Sequence, residues 1–406
     1  MLTKARLIVL LSSLLGTPLL LSSCGADRSG SAPVQLSEGV PVGAVLALSG
    51  NANVYGQDQR LGLNLALAAR NADGGINGTP MRLAIEDSGS DDPGANNAMT
   101  LQINRGMLVV IGPTLSQQAF SADPIAQRRG MPVVAPSNTA MGIPQIGHFI
   151  SRVSAASDVI APLSIAKAME RNPGIQRAAV FYAQDDAYST AETAVFQKAL
   201  AAKGLKPVTV QRTQLADNDF QNQISATLAL KPDLIVLSLQ GVDGGNLVRQ
   251  LRELGYAGPI VVGNGMNTPN IYPICQKYCD GLLIAQAYSP ELATSANRAF
   301  VKAFIANQAR SGQGPVIPPQ LTAQAYAALQ VVGEALQRLD KRTPLKGLSV
   351  SAARKALMDE ILAGTYQTPL GEIRFTPEGE VIQKDFFVAQ VRMNPNGKSG
   401  RFMLLK

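Results

Sequence analysis

Histidine is nearly absent from this chain, since His148 is the single one in 406 residues. A Ser-His-Asp triad would have to use it, but the sequence has no Gly-x-Ser-x-Gly nucleophile turn. A P-loop and a Gly-x-Gly-x-x-Gly turn that opens a helix after a strand are also missing. The carboxylate pairs Asp91-Asp92 and Asp185-Asp186 precede predicted helices, where helix capping explains them. The sequence therefore predicts a protein with no catalytic residue and no cofactor.

A strong excess of charge is missing as well. The chain carries 36 Lys and Arg against 29 Asp and Glu, and the basic residues are scattered, without runs that alternate with aromatic residues. We therefore do not expect nucleic acid as a partner. The apolar fraction of 46% is ordinary for a globular protein, and the length suits two domains or lobes.

A long uninterrupted apolar run is the third feature that the chain lacks. Residues 7–21 are mostly apolar, but Pro18 interrupts them and they fall short of the about 20 residues of a membrane span. Lys4 and Arg6 precede this run, and Leu-Ser-Ser-Cys, ending at Cys24, follows it. A charged tip, an apolar core and small residues before a cleavage site predict an export signal.

The tetrapeptide that ends at Cys24 resembles the bacterial lipobox, in which the signal is cut before the cysteine and the thiol is lipidated. An ordinary secretory signal cut nearby is the alternative. On the lipobox interpretation, residues 1–23 are the signal peptide, Cys24 carries the lipid that holds the protein on a membrane, and residues 24–39 form a flexible tether rich in Gly, Ser, Ala and Pro.

Only two cysteines remain, Cys275 and Cys279, in the stretch ICQKYC. Their spacing could serve a metal, but a zinc site needs four ligands and His148 is far away in the sequence. In an oxidising exported compartment, a local disulfide that pins a loop is the expected state, and no metal is expected.

From residue 40 onward, strand-like apolar runs alternate with amphipathic helix-like runs and Gly, Asn or Pro turns. This alternation favours buried parallel sheets covered by helices on both faces. The pattern predicts roughly ten strands, too many for one compact sheet with short connections, so two doubly wound lobes fit better. Near the end, three helical runs follow one another, and GEIRFTPEGEVIQKDFFVAQV then alternates like a hairpin with a Pro-Glu-Gly turn.

Hydroxyl and amide side chains follow several predicted strands, and ligands of open parallel sheets bind at the carboxyl ends of strands. Ser116 lies at or just before a predicted helix start, where its hydroxyl and the free backbone N–H groups could hold a carboxylate. Ser137, Asn138 and Thr139 follow the neighbouring strand. Helix capping alone is the alternative for any one of them, but several at one sheet edge favour a binding site.

Five motifs carry a family resemblance that extends from about residue 38 to the end: GAVLALSGNANVYGQD, ARNADGGINGTPMRLAIEDSGSDD, VVIGPTLSQQA, GMPVVAPSNT and AQAYAALQ. The chain resembles the type I periplasmic binding proteins of branched-chain and neutral amino-acid ABC importers, with the neutral amino-acid binders of cyanobacteria as the suggested subtype. The resemblance implies an α/β fold of two doubly wound parallel-sheet lobes, joined by a three-strand hinge and closing on a ligand. The implied lobes are residues 40–156 with 287–383, and 157–286 with 384–406.

The resemblance also implies site residues. Ser116 aligns with the serine that holds the ligand α-carboxylate. Ser137 and Thr139 align with strand-end residues that contribute a carbonyl and a hydroxyl to the α-carboxylate and α-amino group. Tyr55 and Tyr188 resemble the aromatic residues that line the cleft, one from each lobe.

The second lobe departs from the family pattern. An acid that neutralises the α-ammonium usually follows the strand that here reads PIVVGNG, but this chain has Asn264. Gln240 stands where an aromatic residue is common, whereas Leu321, from the other end of the chain, aligns with a side-chain pocket residue. Because a buried ammonium without a counter-charge is costly, either another acid substitutes or the ligand is not an ordinary amino acid. The candidate acids at strand ends of the same lobe are Asp185, Asp186 and Asp243.

The sequence thus predicts an extracytoplasmic, lipid-anchored, monomeric substrate-binding protein of the cell envelope. It would capture a small carboxylate-bearing solute, a neutral or branched-chain amino acid in the first place, and deliver it to ABC permease subunits. Two alternatives stay open. One is a ligand sensor that docks on a signalling receptor, and the other is a binder of a non-amino-acid solute such as urea or a short amide.

Overall fold

The computed structural model describes residues 31–311 and 317–405. Cys24 and the expected signal segment 1–23 lie outside these residues. Within them the chain forms three sheets covered by helices, and no helix there has the length and apolar character needed to cross a membrane.

The first sheet has five strands, all parallel, in the order β2-β1-β3-β4-β5 within the described part of the chain. Its elements, in chain order, are β1 Val40–Leu46, α1 Asn53–Ala72, β2 Met81–Asp87, α2 Asp92–Asn104, β3 Val110–Ile111, α3 Ser116–Arg128, β4 Val133–Ala135 and β5 Ile150–Arg152. Every residue of β1 is buried, as a central strand covered on both faces requires.

The middle of the chain forms the second sheet. Its elements are α4 Ser157–Arg171, β6 Ala178–Ala183, α5 Ala187–Ala202, β7 Thr209–Thr213, α6 Gln221–Ala229, β8 Leu234–Ser238, α7 Gly241–Glu253, β9 Ile260–Val262, α8 Tyr272–Cys275 and β10 Leu283–Gln286. Strands β6 to β10 are parallel neighbours in the order β10-β9-β8-β6-β7.

The C-terminal part contributes to both halves. Its elements are α9 Ser295–Arg310, α10 Gln320–Arg342, α11 Val350–Ala363, β11 Thr365–Thr368, β12 Gly371–Phe375, β13 Val381–Gln383, β14 Phe387–Met393 and β15 Gly400–Leu404. Strands β11, β12 and β13 form an antiparallel third sheet, whereas β14 and β15 extend the second sheet in antiparallel fashion. Short 3-10 helices complete the described chain, at Pro144–Ile146, Asn264–Met266, Pro269–Ile271, Gln276–Cys279 and Leu345–Gly347.

Each large sheet separates two apolar cores, so the molecule has two lobes. In the second sheet, Ile235 and Leu237 point to one core while Leu234 and Val236 point to the other, as strand alternation dictates. We call the half with the five-stranded sheet, helices α1–α3 and α9–α11 and the third sheet lobe 1, and the half with the seven-stranded sheet and α4–α8 lobe 2.

Helices α1 and α10 pack very closely in lobe 1. A Cβ at Gly62 would lie 2.2 Å from the carbonyl oxygen of Thr322, so only glycine fits at this crossing. This contact places the first turns of both helices, which carry Tyr55 and Leu321, against the same end of the sheet.

Three connections in the described part of the chain pass between the lobes, after β5, after β10 and after β13. They lie close together, because Phe386 of the third packs against buried Ala155 of the first and Ala285 of β10, which precedes the second. Gln383 Nε2 also donates to the carbonyl oxygen of Ala287 at 2.6 Å. These connections are the hinge that the sequence predicts.

Two expectations from the sequence need correction. The described residues contain fifteen strands rather than roughly ten, because the short β5, β11 and β15 lack a distinct strand pattern in the sequence and the predicted hairpin stretch holds three strands, β12, β13 and β14. The expected tether 24–39 is also too long. Val34 is buried and its N–H donates to Leu348 O at 3.0 Å, while Val350 N donates to Ala32 O at 2.8 Å, so the chain is already packed on lobe 1 at residue 32.

Helix capping by acids is confirmed at two positions. Asp91 Oδ1 accepts from Gly94 N at 2.7 Å at the start of α2, and Asp186 Oδ2 accepts from Ser189 N at 3.1 Å at the start of α5.

Candidate functional site

A small cavity lies between the lobes, at the carboxyl ends of β3, β4, β8 and β9. Its lining consists of Tyr55, Thr114, Leu115, Ser116, Ser137, Thr139, Tyr188, Gln240, Asn264, Gly265 and Leu321. The empty space is at most about 360 Å³, at the lower end of the range for small-molecule sites. Of the residues predicted to bind ligand, Tyr55, Ser116, Ser137, Thr139, Tyr188, Asn264 and Leu321 belong to this lining. Asp243 does not.

The N-terminus of α3 opens onto this cavity. Leu115 precedes the helix and offers no side-chain acceptor, but its own N–H donates to Gln118 Oε1 at 3.3 Å, and the first main-chain bond of the helix is made by Ala119 N to Leu115 O. The N–H groups of Ser116, Gln117 and Gln118 have no partner among the described residues and are open to a ligand, and the helix dipole favours an anion there. Ser116 Oγ accepts from Thr139 N at 3.3 Å and from Ala140 N at 3.2 Å. Because the oxygen is occupied as an acceptor, the hydroxyl proton remains to be donated.

A buried amide, Gln59, fixes the adjoining wall. Its Oε1 accepts from Thr114 Oγ1 and its Nε2 donates to Ser137 Oγ, both at 2.6 Å. Ser137 Oγ in turn donates to Thr114 O at 2.6 Å. The side chain of Ser137 is thus held by the protein. Sequence reasoning missed Gln59, although it lies one helical turn after Tyr55 on α1.

Tyr55 of lobe 1 reaches across the cleft to the backbone of lobe 2. Its hydroxyl donates to Gly265 O at 2.7 Å and accepts from Gly241 N at 2.5 Å. Burial raises the pKa of Tyr55, so the hydroxyl stays protonated and keeps its donor. These two bonds describe a closed arrangement of the lobes.

Tyr188 lines the opposite wall together with a buried acid, Glu192. The Tyr188 hydroxyl donates to Glu192 Oε2 at 2.5 Å and accepts from Gly265 N at 2.6 Å, while Glu192 Oε1 accepts from Asn264 N at 3.0 Å. Burial raises the pKa of Glu192 to about 7, against the opposing effect of the two hydrogen bonds. Glu192 was missed by sequence reasoning, and its only local signal is the four-residue spacing from Tyr188.

The acids proposed as counter-charges do not line the cavity. Asp185 accepts from Leu215 N at 3.0 Å, and Asp186 binds the cavity residue Gln240 through Oδ2 at 3.1 Å. Asp243 is buried in the first turn of α7, and burial raises its pKa well above the ordinary value, which disfavours the charged form. Since burial also raises the pKa of the lining tyrosines, the lining within the described residues is neutral.

Asn264 links the lobes a second time. Its Oδ1 accepts from Gln320 Nε2 of α10 at 3.0 Å, and Gln320 Oε1 accepts from Ala287 N at 2.7 Å. Leu321, next to Gln320, forms an apolar wall with Leu115 and Tyr55. The cavity therefore combines a helix start that has open N–H groups with an apolar surface of small extent.

Two sequence-predicted features lie away from the cavity. Cys275 and Cys279 form a disulfide in the structure, with their Cα atoms 5.4 Å apart. His148 is half exposed and its Nε2 lies 3.0 Å from Asp359 Oδ1, so it belongs to the surface of lobe 1. In the described part of the chain, no group of His, Cys, Asp and Glu side chains could hold a metal ion.

Two doubly wound lobes that close on a cavity at their strand ends define a two-lobed solute-binding protein. The periplasmic binding protein model matches residues 39–399, so the chain belongs to this family, and its fold is that of the type I members.

Three proteins are similar to this chain over most of its length. A leucine-, isoleucine-, valine-, threonine- and alanine-binding protein of Pseudomonas aeruginosa is 25% identical over 82% of this chain and 85% of the relative. The LivJ substrate-binding protein of Streptococcus pneumoniae, solved with isoleucine, has a TM-score of 0.77 at 20% identity, over 91% of this chain and 99% of that chain. A solute-binding protein of R. palustris, solved with benzoate, has a TM-score of 0.76 at 21% identity, over 90% and 96%.

Proposed function

We propose that this substrate-binding protein of an ABC importer captures a small solute through a carboxylate held at the N-terminus of α3. The observation that carries this proposal is the helix start at Ser116, whose first N–H groups have no partner among the described residues and which opens onto an otherwise uncharged cavity. An anion there gains the Ser116 hydroxyl, free N–H groups and the positive end of the helix dipole. Charge-assisted hydrogen bonds of this kind contribute about 1.5–3 kcal/mol each.

The first candidate ligand is a neutral or branched-chain amino acid. Leu115 and Leu321 supply an apolar surface that suits a short aliphatic side chain. The carbonyl of Ser137 and the hydroxyl of Thr139 are the groups that would contact the α-amino group. The similar proteins named for leucine, isoleucine and valine support this candidate.

The second candidate is a carboxylate that lacks an ammonium group. The neutral lining favours it, because Asn264 stands where an acid would balance the ammonium and Glu192 is already bound by Tyr188 and Asn264. A buried ammonium loses its interactions with water, and a cavity without a counter-charge does not replace them. The similar structure that holds benzoate supports a non-amino carboxylate.

Calorimetric titration with three compounds that carry the same alkyl group tests the proposal. Leucine, 4-methylpentanoate and 3-methylbutylamine share an isobutyl group but differ in the carboxylate and the amine. We expect at least one of the two carboxylates to bind and the amine not to bind. Leucine binding more tightly than 4-methylpentanoate supports the amino-acid candidate, and the reverse order supports the second. Binding of the amine alone, or of urea in place of every carboxylate, contradicts the carboxylate anchor.

We also propose that the protein works from a lipid anchor at Cys24, as a monomer, and delivers its solute to an ABC permease. Family membership supports the permease as partner more strongly than a signalling receptor. Ligand-loaded protein should stimulate the ATPase of the permease reconstituted in proteoliposomes, and an unchanged ATPase rate would favour the receptor instead.

A further inference from the structure

The segment Ser137–Ala140, which we call the cavity loop, is held from behind by the end of β5 and the chain that leads from it into α4. Arg152, the last residue of β5, donates from Nη1 to Asn138 O at 3.1 Å and to Ala140 O at 2.6 Å. Two serines that follow Arg152 complete the contacts. Ser154 Oγ donates to Asn138 O at 2.6 Å, and the carbonyl of Thr139 accepts from the N–H and the hydroxyl of Ser157 at 2.9 and 3.0 Å.

The front of the same loop holds the residue proposed to bind the carboxylate. The N–H groups of Thr139 and Ala140 donate to Ser116 Oγ. A single peptide segment therefore has Arg152 on its carbonyl side and Ser116 on its N–H side. A shift of the loop would change the direction in which the Ser116 proton points.

The other end of the Arg152 guanidinium binds a residue far along the chain. Its Nε and Nη2 donate to the two carboxylate oxygens of Glu380 at 2.8 and 2.7 Å, and the Arg152 side chain is fully buried. Glu380 ends the turn between β12 and β13, and the third hinge connection follows β13. The turn is tightly docked, since Arg152 N donates to Gly379 O at 3.1 Å and a Cβ at Gly379 would lie 2.2 Å from Ile150 O.

We propose that Arg152 and Glu380 are positioning residues that hold the cavity loop against the end of β5, and thereby fix the Ser116 hydroxyl in the orientation that binds the ligand. This inference rests on the proposed function of Ser116. Neither residue lines the cavity, so the pair acts through the loop. A planar guanidinium is needed because it spans two carbonyls and one carboxylate at once, which a lysine ammonium does not.

Glu380→Gln is the principal test, because it keeps the size of the side chain and removes the bidentate acceptor. Titration with leucine and 4-methylpentanoate should show about tenfold weaker binding of whichever compound the wild type binds, the loss expected from one charge-assisted interaction. Glu360→Gln is the matched control, since Glu360 pairs with Arg338 and Arg342 in lobe 1, away from the cavity. It should lower stability without weakening binding.

A double substitution separates positioning from general destabilisation. If Arg152 and Glu380 act through Ser116, Glu380→Gln should weaken binding less in a Ser116→Ala background than in the wild type. Fully additive effects, or unchanged affinity in Glu380→Gln, would overturn the inference while leaving the proposed function intact. Failure of the wild type to bind any carboxylate would instead overturn the proposed function.

A measurement without ligand keeps the inference testable in that case. Hydrogen exchange of peptides that span the cavity loop should be about tenfold faster in Glu380→Gln than in Glu360→Gln. The reason is that the loop opens locally more often when the ion pair no longer holds it. Equal protection of the loop in the two variants would show that the ion pair does not hold it. Arg152→Lys should reproduce the faster exchange, with Glu380→Asp as the variant of choice if Arg152→Lys does not fold.

Discussion

Removal of the Tyr55 hydroxyl tests whether the cross-lobe contact determines affinity. In Tyr55→Phe the ring remains against Leu321, but the bonds to Gly241 N and Gly265 O are lost. Each neutral hydrogen bond contributes about 0.5–1.5 kcal/mol net, so the closed state loses about 1–3 kcal/mol. At about 1.4 kcal/mol per tenfold, the solute should bind roughly 5- to 150-fold more weakly.

This loss of free energy should affect only the closed state, because water binds the Gly241 N–H and the Gly265 carbonyl when the lobes are apart. Calorimetry would measure the affinity, and small-angle scattering at saturating ligand would measure the fraction of closed molecules. Tyr272→Phe is the matched control, since the Tyr272 hydroxyl is buried without a hydrogen-bond partner among the described residues. If Tyr55→Phe binds and closes like the wild type, the contact does not contribute to closure and our reasoning on it is wrong.

Four further predictions concern the site and the chemistry of the envelope. Ser116→Ala should weaken carboxylate binding about ten- to a hundredfold in calorimetry, whereas a mere capping role would lower the free energy of unfolding by about 1 kcal/mol and leave affinity unchanged. The pKa of Glu192 is raised from 4.5 to about 7, so the folded chain keeps a proton that the unfolded chain loses between these pH values. The free energy of unfolding should therefore fall by up to about 3 kcal/mol as pH rises through this window, and denaturant titrations of Glu192→Gln should show a smaller fall. Cys275 and Cys279 should resist alkylation in unreduced native protein, and modification of both would refute the disulfide. Cys24→Ala should release the protein from membranes or leave an uncleaved precursor, and a mature N-terminus found elsewhere by mass spectrometry would refute lipidation.

The cavity residues that the sequence predicts share a simple origin. Parallel strands bring their carboxyl ends to one edge, so Ser116, Ser137 and Thr139 could be placed together from strand order alone. Asp243 also follows the end of a strand. It lies in the first turn of α7, however, where it is buried and does not line the cavity.

The residues that sequence reasoning missed have weak or no local signals. Gln59 and Glu192 lie one turn after Tyr55 and Tyr188, but polar residues on a helix are usually solvated, so the spacing alone does not indicate a buried partner. Arg152 and Glu380 are separated by 228 positions, and only the folded chain brings them together. No periodicity or composition could have predicted that ion pair.

The closing contact of Tyr55 uses only backbone groups of lobe 2, and this has a consequence for engineering. Of the side chains that line the cavity from that lobe, Gln240 can be exchanged without removing either partner of the Tyr55 hydroxyl, whereas Asn264 also bonds Gln320 of lobe 1 and Tyr188 holds Gly265. Selectivity and the closing motion are therefore separable design variables at Gln240. A fluorescent reporter placed across the cleft should keep its response while the recognised compound is changed, which makes this chain a scaffold for families of optical sensors.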